Sequence, residues 1–310
     1  MFSMRKIILT MFAGLMGLSY SSYAQQDPHY TQYMYNQSIM NPAYAGSKET
    51  LSMGLLYRNQ WTGLEGAPQT ITLFGHSRVG KKVGVGISAI SDRLGPTEEN
   101  NVYADFSYTL ELGGRHKLAL GVKAGMTMLQ NNLNSDISNF VKHPNDPMFA
   151  YDESSSFFNV GAGAFYYTDN YYISLGIPNF LQNTYMTKND RNFGSEVMHM
   201  FLAGGYVFDL NYQWKVRPST MIKMATNTPV SVDLSVNAMW NNQLEFGLTY
   251  RLEDSFGAMV NYAVMPNLRI GYAYDYVTSD IRLAASGSHE VIVLFDIFYK
   301  RRVSSSPRYF

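Results

Sequence analysis

From Thr50 onward the chain alternates apolar and polar residues with a period of two, in about fourteen short stretches divided by turn-forming residues. The pattern is cleanest from Val230 to Trp240, where Val230, Val232, Leu234, Val236 and Ala238 fall on one side and Ser231, Asp233, Ser235 and Asn237 on the other. Val83, Val85, Ile87 and Ala89 oppose Gly84, Gly86 and Ser88 in the same way. Leu268, Ile270, Tyr272, Tyr274 and Tyr276 likewise oppose Arg269, Gly271, Ala273 and Asp275. One face suits lipid and the other water, so the pattern predicts an all-β fold, a transmembrane outer-membrane β-barrel of about 14 antiparallel strands. Val291 to Tyr299 and Ser156 to Tyr167 carry apolar residues on both faces, which a plug or partner inside the barrel would explain.

The connections alternate in length. Even-numbered strands end at Gly80-Lys81, Gly113-Gly114, Thr168-Asp169-Asn170, Asp209 to Tyr212, Asn241-Asn242 and Pro266-Asn267, all of hairpin length. Odd-numbered strands end in mostly longer segments: Thr62 to Ala67, Asp92 to Asn100, Leu129 to Ser155, Pro178 to Glu196 and Val277 to His289. Thr226 to Pro229 and Leu252 to Ser255 are the short ones on that side. In outer-membrane barrels short turns face the periplasm, which puts both termini there. Trp214, Trp240, Tyr171, Tyr172, Tyr206 and Tyr212 then form one interfacial girdle, and Trp61, Tyr250 and Tyr276 lie at the outer rim. A soluble sandwich or propeller would give no systematic difference between its two ends.

Composition agrees with a barrel rather than a helical membrane protein. The chain of 310 residues is 15% aromatic with 24 Tyr and 25 Gly. Its mean hydropathy is −0.17, whereas helical spans need about 20 continuous apolar residues each. Arg5 and Lys6 precede an apolar run from Ile7 to Leu18, with Ser22 and Ala24 placed for cleavage before Gln25. Residues 1–24 are therefore expected to be an export signal, followed by an aromatic, Asn- and Pro-containing segment at 25–49, the barrel at 50–300 and a tail at 301–310. With no cysteine, lipid attachment at the new N-terminus, disulfides and thiolate metal sites are excluded. The balance of 24 basic and 24 acidic residues provides no field for nucleic acid.

The segment before the barrel carries the motif Asp27-Pro28-His29-Tyr30-Thr31-Gln32-Tyr33, then Asn41-Pro42-Ala43-Tyr44-Ala45-Gly46. Further on come Arg58-Asn59-Gln60-Trp61 with Gly66-Ala67-Pro68 and Thr70, Asp92-Arg93-Leu94-Gly95-Pro96, and Gly271-Tyr272 to Tyr276 with Ser286-Gly287-Ser288-His289-Glu290. In order and spacing, over nearly the whole mature chain, these resemble the PorP/SprF family of the type IX secretion system. The resemblance implies an outer-membrane component of a machine that exports folded cargo and supports gliding adhesins. Expected partners are outer-membrane lipid, periplasmic secretion-ring proteins, and a secreted adhesin or its C-terminal sorting domain.

About fourteen strands enclose a lumen wider than that of eight-stranded barrels but much narrower than a folded adhesin domain, so docking is expected rather than passage. Asp27, Pro28, Tyr30, Gln32, Tyr33, Asn41, Pro42 and Tyr44 are the candidate plug or partner contacts, because tyrosines and amides make large, hydrogen-bonding interface anchors. A tether packed on the first strand is the plainer alternative. Arg58, Asp105, Lys123, Lys215, Arg217, Asp233, Glu245, Arg269 and Asp275 fall on the presumed lumen face, where mixed signs suit an internal ladder of ion pairs rather than a selective pore. The Asn-, Asp- and Pro-rich stretch from Leu129 to Ser155 is read either as a lid or partner site or as a plain polar loop. Asp146, Asp152 and Glu153 lack EF-hand spacing, so no metal is assigned. The six histidines are scattered and no nucleophile elbow or phosphate loop is present, so neither catalysis nor a cofactor is expected. A passive or hydrophobic-solute channel is the competing function.

Overall fold

The computed structural model describes residues 30–48, 50–132, 152–181, 184–188, 191–195, 197–226 and 228–298. The expected signal, Asp27, Pro28, residues 133–151 with Asp146, and the tail at 301–310 lie outside them.

The strands in chain order are β1 (Leu51–Asn59), β2 (Gln69–Val79), β3 (Val83–Leu94), β4 (Thr97–Gly113), β5 (His116–Asn131), β6 (Glu153–Tyr167), β7 (Tyr171–Ile177), β8 (Thr184–Lys188) and β9 (Arg191–Ser195). After them come β10 (His199–Tyr206), β11 (Phe208–Asp209), β12 (Trp214–Ala225), β13 (Ser231–Trp240), β14 (Leu244–Arg251), β15 (Ser255–Met265), β16 (Leu268–Val277) and β17 (Ser288–Ile297). Each barrel strand pairs antiparallel with its neighbours, β1 pairs with β17, and β10 pairs with β12. The result is a closed 14-strand barrel. The short β11 pairs with β12 outside the ring, and β8 and β9 form a separate hairpin within the β7–β10 connection. Closure leaves the ring no free sheet edge, as backbone in hydrocarbon requires.

The period-two pattern sorts the wall as the sequence suggests. Leu73, Ile87, Val122, Val236 and Leu248 are exposed on the outer face, while Thr72, Ser88, Lys123, Asn237 and Thr249 are buried inside. An apolar outer surface of this extent is lipid-facing. The short turns use backbone that few residues tolerate: Asn241 and Asn242 both have positive φ, at 52° and 53°, as a two-residue hairpin turn of matching twist demands.

Three expectations need correction. Asp92 to Asn100 is not a loop, because β3 and β4 stay paired up to Leu94 and Thr97 around a tight Gly95-Pro96 turn. Polar residues on both faces of this hairpin erased the alternation, since it rises past the apolar band. The loop expected from Leu129 to Ser155 is shorter for the same reason, with Asn131 still paired to Glu153. Tyr172 does not join the girdle: it points inward and is buried, whereas Tyr171 stacks on Tyr206 across the β7–β10 pair and Trp214 is registered with Trp240. Trp61 does sit at the long-loop end, where its amide donates to Ser288 Oγ at 3.2 Å.

Candidate functional site: a plugged lumen

The segment from Tyr30 to Ser47 runs through the barrel interior. It consists of two single 3-10 turns, Tyr33–Tyr35 and Pro42–Tyr44, flanking one turn of helix, α1 (Gln37–Met40). Every residue from Tyr30 to Ser47 is buried. So short a helix has no stability of its own, and the wall holds the segment in place.

Near the long-loop end the segment is gripped by charge. Thr31 and Gln32 donate their backbone N–H groups to Glu290 Oε2 and Oε1, each at 2.9 Å. Arg58 donates through Nη1 to Glu290 at 3.0 Å and to Thr31 Oγ1 at 2.9 Å, and through Nη2 to Asp275 at 2.7 Å. The Thr31 hydroxyl donates to Asp275 at 2.6 Å, and the Tyr30 hydroxyl meets that of Thr72 at 3.0 Å. Arg58, Asp275 and Glu290 are all nearly solvent-free, so their charges persist only because each is paired and hydrogen-bonded. Halfway down, Tyr33 bonds Ser219 at 3.0 Å, the Tyr35 hydroxyl donates to Glu245, and Arg217 lies over the Tyr35 ring at 5.2 Å.

Toward the short-turn end the grip becomes steric. Gly176, Gly163, Gly121, Ser107 and Gly84 are registered side by side across β7, β6, β5, β4 and β3, giving a strip of wall almost without side chains. The stretch Met40 to Gly46 lies along this strip. A Cβ added at Gly121 would land on the main chain of Pro42 and Ala43, at Gly84 on the Ala45 carbonyl, and at Gly176 on the Met40 carbonyl. Asn41 holds its own turn by accepting from Ala43 N–H and donates to Ala164 O at 3.0 Å and Ser174 Oγ at 2.7 Å. Ser107 Oγ donates to Ala45 O at 2.6 Å and Arg78 Nε to Gly46 O at 3.0 Å. The Tyr44 ring meets Phe165 and His76 edge-on, each at 5.2 Å, a favoured aromatic geometry. Burial pushes the Tyr33 and Tyr44 phenols above their ordinary range, so both stay neutral. The mixed apolar character of β6 and β17 follows: Phe165, Tyr167, Ile292 and Leu294 face the lumen and are buried, and Tyr44 packs on Phe165.

The structure brings the lumen charges together in pairs. Arg58 meets Asp275, Lys123 meets Asp105 at 3.3 Å, Arg217 meets Glu245 at 3.3 Å, and Arg269 reaches Glu245 at 3.7 Å. Asp233 pairs with Arg251 at 2.8 Å. Lys123 also donates to the Ser38 carbonyl at 3.3 Å, and Lys215 lies at an exposed rim beside Asp209. Arg251 and Glu290 stand outside the set of charges that the sequence places in the lumen. Arg251 falls on the lumen parity that runs from Glu245 through Thr249, whereas β17 is apolar on both faces, so parity alone does not place Glu290. Tyr30, Gln32, Tyr33, Asn41, Pro42 and Tyr44 all lie in the buried plug.

In backbone shape the protein is similar to the CymD monoaromatic hydrocarbon channel, with a TM-score of 0.55, 12% identity, and coverage of 86% of this chain and 94% of that one. It is also similar to the Ralstonia pickettii toluene transporter TbuX, with a TM-score of 0.53, 11% identity, and coverage of 84% and 93%. At such identities the likeness is one of fold, an outer-membrane barrel. No curated protein matches the chain in sequence. The family model for the type IX secretion system membrane protein PorP/SprF matches residues 22–295, which take in the plug and all of the ring but the last two residues of β17. A barrel in the outer membrane, plugged by its own Asn-Pro-Ala-Tyr segment and matched over that length, belongs to the PorP/SprF family of type IX secretion system membrane proteins.

Proposed function

We propose that this protein is a docking body of the type IX secretion system, which receives secreted surface proteins such as gliding adhesins through their C-terminal sorting domain and meets periplasmic ring proteins at its short-turn face. The occupied lumen carries this reading. A segment buried along its whole course, with buried ion pairs around it, leaves no course for a polypeptide, so the barrel serves through its rims and loops rather than its bore. Family membership supplies the machine. Neither an enzymatic step nor a cofactor enters this reading. The short turns and the tail are assigned to the periplasm on loop length, following cleavage near Ala24.

The test is the surface and secreted proteome of a strain lacking the gene, compared with its parent and with the gene restored. Loss of one or a few large surface proteins identifies a cargo-specific dock, and loss of all type IX cargo identifies a core component. An unchanged proteome contradicts the proposal. A second reading, a channel for small or hydrophobic solutes, is favoured by the likeness in fold to CymD and TbuX. Stable, solute-selective conductance of the purified barrel in a planar bilayer would support it, and a closed barrel would count against it.

A further inference from the structure

Three motifs from distant parts of the sequence meet at the long-loop end. The β1–β2 connection is tied to the β3–β4 turn by Gly95 N–H donating to Gly66 O at 2.9 Å. It is tied to the β16–β17 connection by Thr62 N–H donating to Gly287 O at 2.7 Å, and by the Ser286 N–H and hydroxyl donating to Thr62 O, each at 2.8 Å. Filling the lumen requires none of these bonds. Beside them is a cavity of about 350 Å³ whose lining includes Asn59, Thr62, Gly66, Gln69, Arg93 and Gly95. The Thr62 hydroxyl is buried without a hydrogen-bond partner among the described residues.

The cavity lies on the membrane side of the wall. Arg58 and Thr70 are buried in the lumen, so their neighbours Asn59 and Gln69 face outward, as does Arg93, which is registered with Gln69. The same outward row continues through His289, registered with Asn59, to Tyr274. One step toward the membrane centre, the outward row is Tyr272, Val291, Tyr57 and Ile71, all exposed on the lipid face. The change from this apolar row to amides, an imidazole and a guanidinium marks the level of the lipid headgroups.

The geometry points to a binding site for the phosphate-bearing headgroup of an outer-leaflet lipid. The headgroup oxygens accept from Arg93, Asn59, Gln69 and Thr62, and the acyl chains lie over Tyr57, Ile71 and Leu73. A lipid is the occupant because it alone engages the polar cavity and the apolar strip beneath it together. The site stands on the barrel's membrane orientation and is independent of the secretion reading.

The experiment places the full chain in nanodiscs of phosphatidylcholine with a minor share of phosphatidylglycerol, releases it into detergent, and counts retained lipid by native mass spectrometry. The native chain should retain phosphatidylglycerol in preference to phosphatidylcholine. The double variant Gln69→Ala with Arg93→Ala, and separately Ala67→Leu, which narrows the cavity, should each lower that retention about tenfold, the loss of one or two charge-assisted hydrogen bonds. Lys117→Ala at the opposite end should leave it unchanged, and heat-modifiability on a gel confirms that each compared barrel is folded. Equal retention by folded native and variant chains overturns the proposal. Displacement of the lipid by millimolar inorganic phosphate alone also overturns it, by identifying a free-anion site.

Discussion

The two halves of the plug are held by different physics. Between Tyr30 and Tyr35 the wall offers long charged side chains, Arg58, Asp275, Glu290, Arg217 and Glu245, which reach inward to meet backbone amides and hydroxyls. Between Met40 and Gly46 the wall withdraws to glycine and serine, and the plug's own backbone fills the space. The charged half depends on groups that lose their value when a partner is removed. The close-fitting half depends on the absence of atoms, and any side chain added there must displace main chain. The same segment is thus clasped at one end and inlaid at the other.

The largest effect should come from the inlaid half. Gly121→Val would put branched carbons where the Pro42 and Ala43 main chain lies, and backbone cannot swing aside as a side chain can. The expected outcome is a folded barrel with the plug displaced, read as new conductance in a planar bilayer and as labelling of an Ala45→Cys reporter by a water-soluble maleimide. A closed, unlabelled barrel would mean that the glycine strip is incidental. In the clasped half, Glu290→Ala leaves Arg58 without one carboxylate and the Thr31 and Gln32 amides without acceptors, a loss of about 3 kcal/mol. Urea should then release a Thr31→Cys reporter earlier than in the parent while an Ala45→Cys reporter stays protected, which separates the two halves directly. Tyr30→Phe removes the hydroxyl that meets Thr72 and should cost about 1 kcal/mol on the same scale.

The smallest effect under ordinary conditions is alkaline. Burial raises the Tyr33 and Tyr44 phenols above the ordinary tyrosine range, so the folded state holds these protons longer than the unfolded chain does. Their contribution is full below about pH 10 and is lost as pH rises through the folded values. Reporter protection should therefore be flat from neutral pH to about 10 and fall above it, and a fall beginning near pH 8 would point to some other group.

The ring was legible in the sequence because lipid enforces alternation: Val232, Leu234 and Val236 could face no other way once the strand was placed. Where that pressure stops, so does the alternation. Asp92 to Asn100 lies beyond the apolar band, and its strands continue without the signal that marks strands elsewhere. Tyr172 resembled its neighbour Tyr171 in composition, but parity alone decides that one faces lipid and the other the plug. Eight of the lumen charges are readable from parity, yet Glu290 stands in a strand that carries Ile292 and Leu294 on its inner face and Val291 and Val293 on its outer one, so parity does not single it out. Which carboxylate meets which cation depends on the register between strands, and a single strand does not carry that information. The glycine strip is the clearest case. Its residues come from five strands, and only the ring's register sets them in one row.

That the lumen is filled by the chain's own N-terminal segment is tested most directly by a cross-link. A Cβ built at Gly257 lies 3.0 Å from Thr31 Cγ2 and 2.6 Å from Asp275 Oδ1, a side-chain end that must turn aside; the chain has no cysteine of its own, so Thr31→Cys with Gly257→Cys offers a single possible intramolecular disulfide. Mild oxidation of outer membranes carrying this variant should give one cross-linked species of altered mobility on a boiled, non-reducing gel, with both thiols lost to maleimide. Two freely labelled thiols and no cross-linked species would contradict a plugged barrel.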